Sequence, residues 1–496
     1  MRPHPLPALA AALALTACNV GPDYKRPDAP TSATFKENVT PAAYRAAGQW
    51  HRARPDDALP RGAWWRIFGD PRLDALEARV DQGNQDLRLA EARFRQARAA
   101  IGFQRAAEFP TLSVGGTGGA LKDSAHQPYF LIPNPTPQGA LTLPVDLSYE
   151  IDVWGQIRRT VAATREEAQA TAGDVATVRL SLHAELAIDY IELRAADAQE
   201  KLLADTVAAY QKALALTQSR LQGGAAPLSD VAQAQTQLDT ARVQETDIGV
   251  QRAQYEHAIA ILIGEPPAAF SLPPAPLDLQ PPEVPPGLPS ELLQRRPDIA
   301  AAERRMAEAN EQIGIAEAAY YPSLNLSALA GFEGTTLATW FGLPSLFWAV
   351  GLSASELVYD GGRRKAQSEN ALAGYDAAVA AYRQTVLTAF QQVEDNLAAL
   401  RILRDEAAQE KSAVDAASSS LRIFTNRYLG GQDAYINVVT AQEFLLTNQR
   451  NEVDLRRRRM EADILLVKAL GGGWNADEIP ALKGSGEADA SAGAPG

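Results

Sequence analysis

Arg220-Leu221-Gln222-Gly223-Gly224-Ala225-Ala226-Pro227-Leu228-Ser229-Asp230-Val231 is written a second time, about 207 residues later, as Arg427-Tyr428-Leu429-Gly430-Gly431-Gln432-Asp433-Ala434-Tyr435-Ile436-Asn437-Val438. The agreement continues downstream. Val231, Ala234-Gln235, Leu238, Glu245, Ile248, Arg252, Ile259 and Gly264 are answered by Val438, Ala441-Gln442, Leu445, Glu452, Leu455, Arg459, Leu466 and Gly471. The spacing alternates threes and fours, as in a coiled coil, and the two copies share even the charged interruptions of the seam. A period this long is half a domain rather than a solenoid unit, so the chain reads as one architecture built from two similar halves.

The repeat reaches upstream as well. Phe109-Pro110-Thr111-Leu112-Ser113 has its partner in Tyr321-Pro322-Ser323-Leu324-Asn325. Trp154-Gly155-Gln156-Ile157-Arg158-Arg159 has its partner in Asp360-Gly361-Gly362-Arg363-Arg364-Lys365. The offset drifts by a few residues, which places small insertions in loops.

Around the glycine turns lie long proline-free stretches. Helices are expected from Gly155 to Gln222 and from the turn to Ile263, then again over Arg363–Leu429 and Ala434–Leu470. A helix of 67 residues is about 100 Å long. An earlier helix is expected from Pro71 to about Ala107, with Asp70 as N-cap and Pro71 in the first turn.

Between the helices the period changes to two. Leu141, Leu143, Val145, Leu147, Tyr149, Ile151 and Val153 alternate with mostly polar residues. A stretch from Leu112, another from Leu324 to Leu329, and Ala349–Val358 complete four candidate strands. They have the length and alternation of membrane-barrel strands, and equally of a soluble antiparallel sheet lying on helices. Four strands cannot close a barrel alone.

With 496 residues and a net charge of −13, the chain offers no basic footprint for nucleic acid. Its one cysteine, Cys18, excludes an intrachain disulfide. Arg2, the apolar stretch Leu6–Ala17 and the ending Leu15-Thr16-Ala17-Cys18 read as a lipoprotein signal peptide with Cys18 as the acylated residue. Asn19 is compatible with export to the outer membrane. No later segment has 18 consecutive apolar residues, so a membrane role rests on acyl chains or strands.

Catalytic signals are poor. Five histidines form no H-E-x-x-H, and there is no C-x-x-C, P-loop or G-x-S-x-G, so neither enzyme, metal site nor cofactor is expected. The Arg456–Arg459 run points in several directions around a helix and reads as an ion-paired girdle. The functional candidates are Cys18 and the two hairpin tips. Arg220, Gly223, Gly224, Arg427, Gly430 and Gly431 are expected to dock a partner or close a gate.

Several further stretches resemble one family. They are Trp64-Trp65-Arg66-Ile67-Phe68-Gly69-Asp70, Leu292-Leu293-Gln294-Arg295-Arg296-Pro297-Asp298-Ile299, Ile313–Leu324, Tyr359–Arg364 and Ala469-Leu470-Gly471-Gly472-Gly473-Trp474. Over residues 18–475 the chain resembles a TolC-type outer-membrane efflux protein, in the NodT-like lipoprotein branch that serves resistance-nodulation-division (RND) pumps. The resemblance implies a mainly α fold with a β-barrel part. Three copies would each give four strands to a shared 12-stranded outer-membrane barrel, and helices to a coiled-coil periplasmic tunnel. It implies a homotrimer in outer-membrane lipid of a Gram-negative cell, working with a periplasmic adaptor and an inner-membrane RND transporter. It also implies a gate at the tunnel tip. Relatives often carry aspartates at the positions matching Asn437 and Thr440, which are neutral here; Asp230 and Asp433 are the nearby acids.

The expected organisation is a signal peptide (1–17), a lipidated extended tether (18–62), a first repeat (63–264), a Pro-rich connector (265–289), a second repeat (290–474) and a disordered tail (475–496). The leading reading is a passive efflux duct. A duct for type I protein secretion and a structural periplasmic lipoprotein with coiled-coil arms are the alternatives.

Overall fold

The computed structural model describes residues 20–32, 34–37, 62–126, 136–277, 279, 282 and 292–482. Cys18, the signal peptide and residues 483–496 lie outside the described residues. Seven helices carry the fold: α1 (Pro71–Gly83), α2 (Gln85–Arg105), α3 (Gln156–Gln222), α4 (Leu228–Leu262), α5 (Pro297–Ala318), α6 (Arg363–Leu429) and α7 (Tyr435–Ala469). Strands β1 (Thr111–Val114), β2 (Thr117–Leu121), β3 (Gln138–Glu150), β4 (Ser323–Gly334) and β5 (Leu346–Ser355) form one antiparallel sheet. Both α3 and α6 have 67 residues, and both α4 and α7 have 35, so the repeat holds residue for residue along the hairpins.

The expected first helix is two. Residue 83 has to be glycine, because a Cβ there would lie 2.0 Å from the Ile263 carbonyl oxygen, and α1 ends at Asn84, whose backbone is extended. Asn84 then starts α2: its side chain accepts from Leu87 N–H at 2.9 Å and donates to Leu262 O at 2.9 Å. The second half makes the same clasp with other residues. Buried Arg296 donates to Ala469 O at 2.8 Å and to Gln392 at 2.9 Å, and forks onto Asp298. Gly471, at φ +94°, lies so close to Arg295 that a Cβ would meet its carbonyl oxygen at 1.9 Å. The Arg-Arg-Pro-Asp and Gly-Gly-Gly wording is thus the two faces of one joint.

The largest core lies where α1, α3, α4 and α7 meet, and holds Trp64, Trp65, Leu73, Leu186, Ile191, Ile259 and Ile464. Trp65 stacks on His183 at 4.5 Å, and His183 Nδ1 lies 2.6 Å from fully buried Glu77. Burial pushes the Glu77 carboxyl up to about 7, against the opposing pull of His183.

The connector is bound rather than slack over its described start. Asp197 accepts from Arg194, from Arg252 and from Ala275 N–H, while Glu256 accepts from Leu272 N–H at 2.6 Å. Arg252 is therefore a charged seam position because it reads an ion pair and the Leu272 carbonyl. The arginine run is a girdle as expected. Arg456 donates to Leu277 O, Arg457 pairs with Glu192 and Glu461, and Arg458 pairs with Glu406.

The described part of the tether is extended but docked. Pro22 O accepts from Asn310, Arg26 meets the Tyr382 hydroxyl at 2.9 Å and Glu303 at 3.4 Å, and Phe35 is buried beside Val393, Leu466 and Leu470. Glu394 accepts from the backbone N–H groups of Lys36 and Glu37. Proline-rich composition hid this, because such a segment binds through isolated side chains and backbone groups rather than a periodic face.

Candidate functional site

Two regions can do something besides support the fold: the sheet and the hairpin tips. In the sheet, β1 and β2 both pair with β3, in succession, so they are one interrupted strand and the sheet is effectively four strands wide. The order runs β1/β2, β3, β4, β5, leaving one edge at β1/β2 and the other at β5. The register sorts the side chains. Leu143 is opposite Phe332, Val145 opposite Ala330, Leu147 opposite Ala328 and Tyr149 opposite Leu326. On β5, Leu346, Trp348, Val350 and Leu352 continue the same face. Successive residues of a strand point to opposite faces. One face is therefore apolar throughout, and its residues on β5 are exposed, Trp348 at 74%. The other face carries Thr142, Asp146, Ser148, Glu150, Asn325, Ser327, Glu333 and Ser353.

The alternation in sequence runs on to Val358, but β5 stops at Ser355. Arg364 accounts for this. It donates to Leu357 O, pairs with Glu356 at 3.1 Å and stacks over Tyr320, so the chain is turned toward α6. No helix among the described residues is long and apolar enough to cross a membrane.

Both hairpin tips close α3 and α6 in the same way. Ala225 N–H donates to Arg220 O at 2.8 Å, and Gln432 N–H to Arg427 O at 2.9 Å. Gly224 N–H and Gly431 N–H bond Leu221 O and Tyr428 O. This is the paired-bond C-cap that needs a left-handed residue, here Gly224 at φ +70° and Gly431 at φ +73°.

The equivalent arginines diverge. Arg220 crosses to the other hairpin, donating to Leu429 O at 3.1 Å with its guanidinium 4.8 Å over the Tyr428 ring. Arg427 folds back onto Asp433 of its own turn, and that hydrogen bond raises its pKa. The Tyr428 hydroxyl donates to Asp230 at 3.0 Å, and Tyr428 packs on Tyr435 with ring centres 5.1 Å apart. Burial first, and the Asp230 bond second, raise the pKa of Tyr428; burial takes Tyr435 to about 12. Both tyrosines stay protonated at neutral pH.

Of the four acids and neutrals singled out for tip lining, Asp230 is buried under Tyr428, Asp433 is held by Arg427, Asn437 is half-buried and Thr440 is exposed. Neither aspartate is a free charge. The structure thus brings Arg220 and Asp230 of the first tip onto Tyr428 and Leu429 of the second, leaves the four glycines to the turns themselves, and leaves Thr440 bonded to Ile436 of its own helix. Sequence reading missed Tyr428 and Tyr435, which occupy the places of Leu221 and Leu228 in the first tip. Their signal is departure from the repeat. Among the described residues there is no cluster of His, Cys, Asp or Glu able to hold a metal ion.

Comparison with known proteins agrees with this geometry. The model of the family described as "Outer membrane efflux protein" matches residues 78–265 and 288–472. The toluene efflux pump outer membrane protein TtgF of Pseudomonas putida is 32% identical over 96% of this chain and 98% of its own. The pyoverdine export outer membrane protein OpmQ of Pseudomonas aeruginosa is 32% identical over 87% of this chain and 92% of its own. The crystal structure of the outer membrane protein VceC of Vibrio cholerae superimposes with a TM-score of 0.79 at 29% identity, covering 84% of this chain and all of that one.

Proposed function

The chain belongs to the outer membrane efflux protein family, and we propose that three copies join their sheets into one 12-stranded outer-membrane barrel and their helices into one periplasmic tunnel. It is an outer-membrane component of an efflux pump, with the TolC-like channel fold. The observation that carries the finer reading is the sheet with one apolar face and two free edges. In a bilayer an open sheet edge has no water to satisfy it, so strands must close into a ring. Four strands are half of the smallest barrels, and three copies give twelve.

The dimensions fit. The aromatic residue Tyr321 precedes β4, and Trp348 is opposite Ala330 on the same strand. Nine residues at about 3.3 Å, tilted by about 40°, rise about 23 Å, close to the apolar band of about 25 Å between the aromatic girdles of such barrels. The polar face then lines water. Asp146, Glu150 and Glu333 project from it, which gives the lumen a mild preference for cations.

Val20, two residues beyond Cys18, donates to Trp154 O at 3.3 Å, at the foot of the sheet. Two residues span about 7 Å, so acyl chains on Cys18 enter the adjacent periplasmic leaflet. At the far end, Arg220, Tyr428 and Asp230 bolt the two hairpins of each chain together, as expected for a gate closed at rest. A periplasmic adaptor, acting with an inner-membrane RND transporter, opens it by favouring the state in which the hairpins part. The duct is passive, and cargo selection falls to the pump.

The test is conductance of the purified, detergent-solubilised protein in planar bilayers. Discrete, long-lived steps are expected. Silence from both this protein and a variant lacking residues 220–230 and 427–437 would remove the barrel reading.

A further inference from the structure

The segment joining β4 to β5, residues 335–345, stands at the end of the sheet away from the helices, because β4 follows α5 and β5 leads to α6. No charged residue stands between Glu333 and Glu356. The corresponding segment of the first half, between β2 and β3, carries Lys122, Asp123 and His126.

Two contacts fix the side of the sheet on which the β4–β5 loop lies. Phe332 belongs to the apolar face, opposite Leu143 and Leu346. The Phe341 ring packs edge-on against it, with centres 5.7 Å apart, and Trp340 lies against Phe341 at 4.8 Å. Gly334, two residues on from Phe332, faces the same side, and a Cβ there would meet the Trp340 Cα at 3.2 Å. The Trp340 indole N–H donates to Phe332 O at 3.1 Å. The loop is therefore folded down over the apolar face and not toward the polar one.

It is also inside out for water. The Thr336 and Thr339 hydroxyls bond each other at 2.9 Å, and the Ser345 hydroxyl donates to Thr339 O at 2.8 Å. Gly342 N–H bonds Thr339 O, and Ser345 N–H bonds Gly342 O. The side chains turned outward are Leu337, Phe341 and Leu343, exposed at 75%, 62% and 85%. Polar groups paired within the loop, with a cluster of large apolar side chains outside, is the arrangement that a hydrocarbon surrounding requires.

We propose that this loop is seated in the membrane: Leu337, Phe341 and Leu343 enter the outer leaflet beside the barrel, at the boundary between headgroups and acyl chains. The proposal rests on the barrel reading, which makes the apolar face of the sheet its lipid face. Continuity identifies the occupant, since Leu346, Trp348, Val350 and Leu352 run on from the loop in one exposed apolar row. Register gives the depth. Phe332 is two residues beyond Ala330, the partner of Trp348, and two residues at about 3.3 Å, tilted by about 40°, rise about 5 Å. The loop thus lies just above the outer aromatic row, where amphipathic segments settle at the headgroup boundary. Strand aromatics supply the girdle of such a barrel; here a loop adds a second tier to it from above, and is no lid over the lumen.

The test is the full-length protein with Leu343→Cys carrying a nitrobenzoxadiazole fluorophore, in phosphatidylcholine vesicles that contain nitroxide-bearing phosphatidylcholine. The unsubstituted protein, labelled in parallel, gives the background from Cys18. Val350→Cys, on the same row of β5 at the level of Ala328, is the control for the barrel. The label at 343 is expected to lose most of its emission to a nitroxide near the headgroup, less to one near the chain ends, and little to iodide in the water. The label at 350 is expected to respond more to the deeper nitroxide. Iodide quenching at 343 with lipid quenching at 350 overturns the anchor and leaves the barrel standing. Shielding of 343 from both quenchers also overturns it, because a second copy then covers the loop. Iodide quenching at both positions overturns the barrel reading and the anchor together.

Discussion

Replacing Tyr428 by Phe removes one hydrogen-bond donor from the junction between the two hairpin tips and little else. The ring stays, so the Arg220 guanidinium 4.8 Å above it and the Tyr435 ring 5.1 Å away keep their partner. What is lost is the 3.0 Å bond to Asp230, a carboxylate only 8% exposed. A hydrogen bond to a charged group contributes about 1.5–3 kcal/mol, and leaving a buried acceptor short of a donor sits within that range. Taking about 1.5 kcal/mol per chain, each hairpin junction loosens about tenfold. If three junctions part together, the shift multiplies to about a thousandfold in the opening equilibrium. The assay is the fraction of time spent in the open conductance level by single channels in planar bilayers, with Tyr435→Phe as the control that spares the Asp230 bond. A Tyr428→Phe protein that melts like its parent and shows an unchanged open fraction would refute the reasoning. So would an equal effect of Tyr435→Phe, because that variant leaves the Tyr428–Asp230 bond intact and loss of the bond could not then be the cause.

Three further outcomes are expected. Glu77 is held by burial at about 7, above its ordinary value of 4.5, so the folded protein binds that proton more tightly than the unfolded chain between these values. Stability is therefore lost as pH rises from about 4.5 through 7, by about 3 kcal/mol in total, and Glu77→Gln should flatten that part of the melting-temperature profile. Arg296→Ala strips Asp298, Gln392 and the Ala469 carbonyl of one shared buried donor; a loss of about 3–5 kcal/mol should appear in denaturant melts monitored by Trp fluorescence. Gly471→Ala and Gly431→Ala ask for similar left-handed backbone, but only the first meets an atom, the Arg295 carbonyl oxygen. The tip variant should cost about 1–2 kcal/mol and remain folded, whereas Gly471→Ala should fail to accumulate as folded protein in the membrane fraction.

The long helices, the strands and the hairpin turns were legible because each rests on a local period or a residue with a special backbone. The break at Gly83-Asn84 was not, since apolar residues recur at helical spacing straight through it. The break falls at Asn84, whose side chain is held by the Leu262 carbonyl, far away in sequence. Strand β5 ends before its alternation does for a similar reason: Arg364, on the following helix, takes the Leu357 carbonyl. At the tips the glycines and arginines were readable, but the cross-hairpin contacts were not. Tyr428 and Asp230 stand 198 residues apart, and nothing local says that one hydroxyl reaches the other.

The repeat itself is the better guide to such residues, through its exceptions. Positions where both halves agree, such as Gly264 and Gly471, serve joints that each half must make for itself, each lying against a carbonyl oxygen that leaves no room for a side chain. Where the halves differ in kind, the two places do different things. Leu221 and Leu228 become Tyr428 and Tyr435, and the second tip gains the groups that grip the first. Arg220 and Arg427 remain arginine, yet one bridges hairpins and the other folds on its own turn, because Asp433 has no counterpart acid at Ala226. The repeat thus separates residues that each half needs for its own fold from residues that only the junction between the two tips uses, and Tyr428, Arg220 and Asp230 are of the second kind.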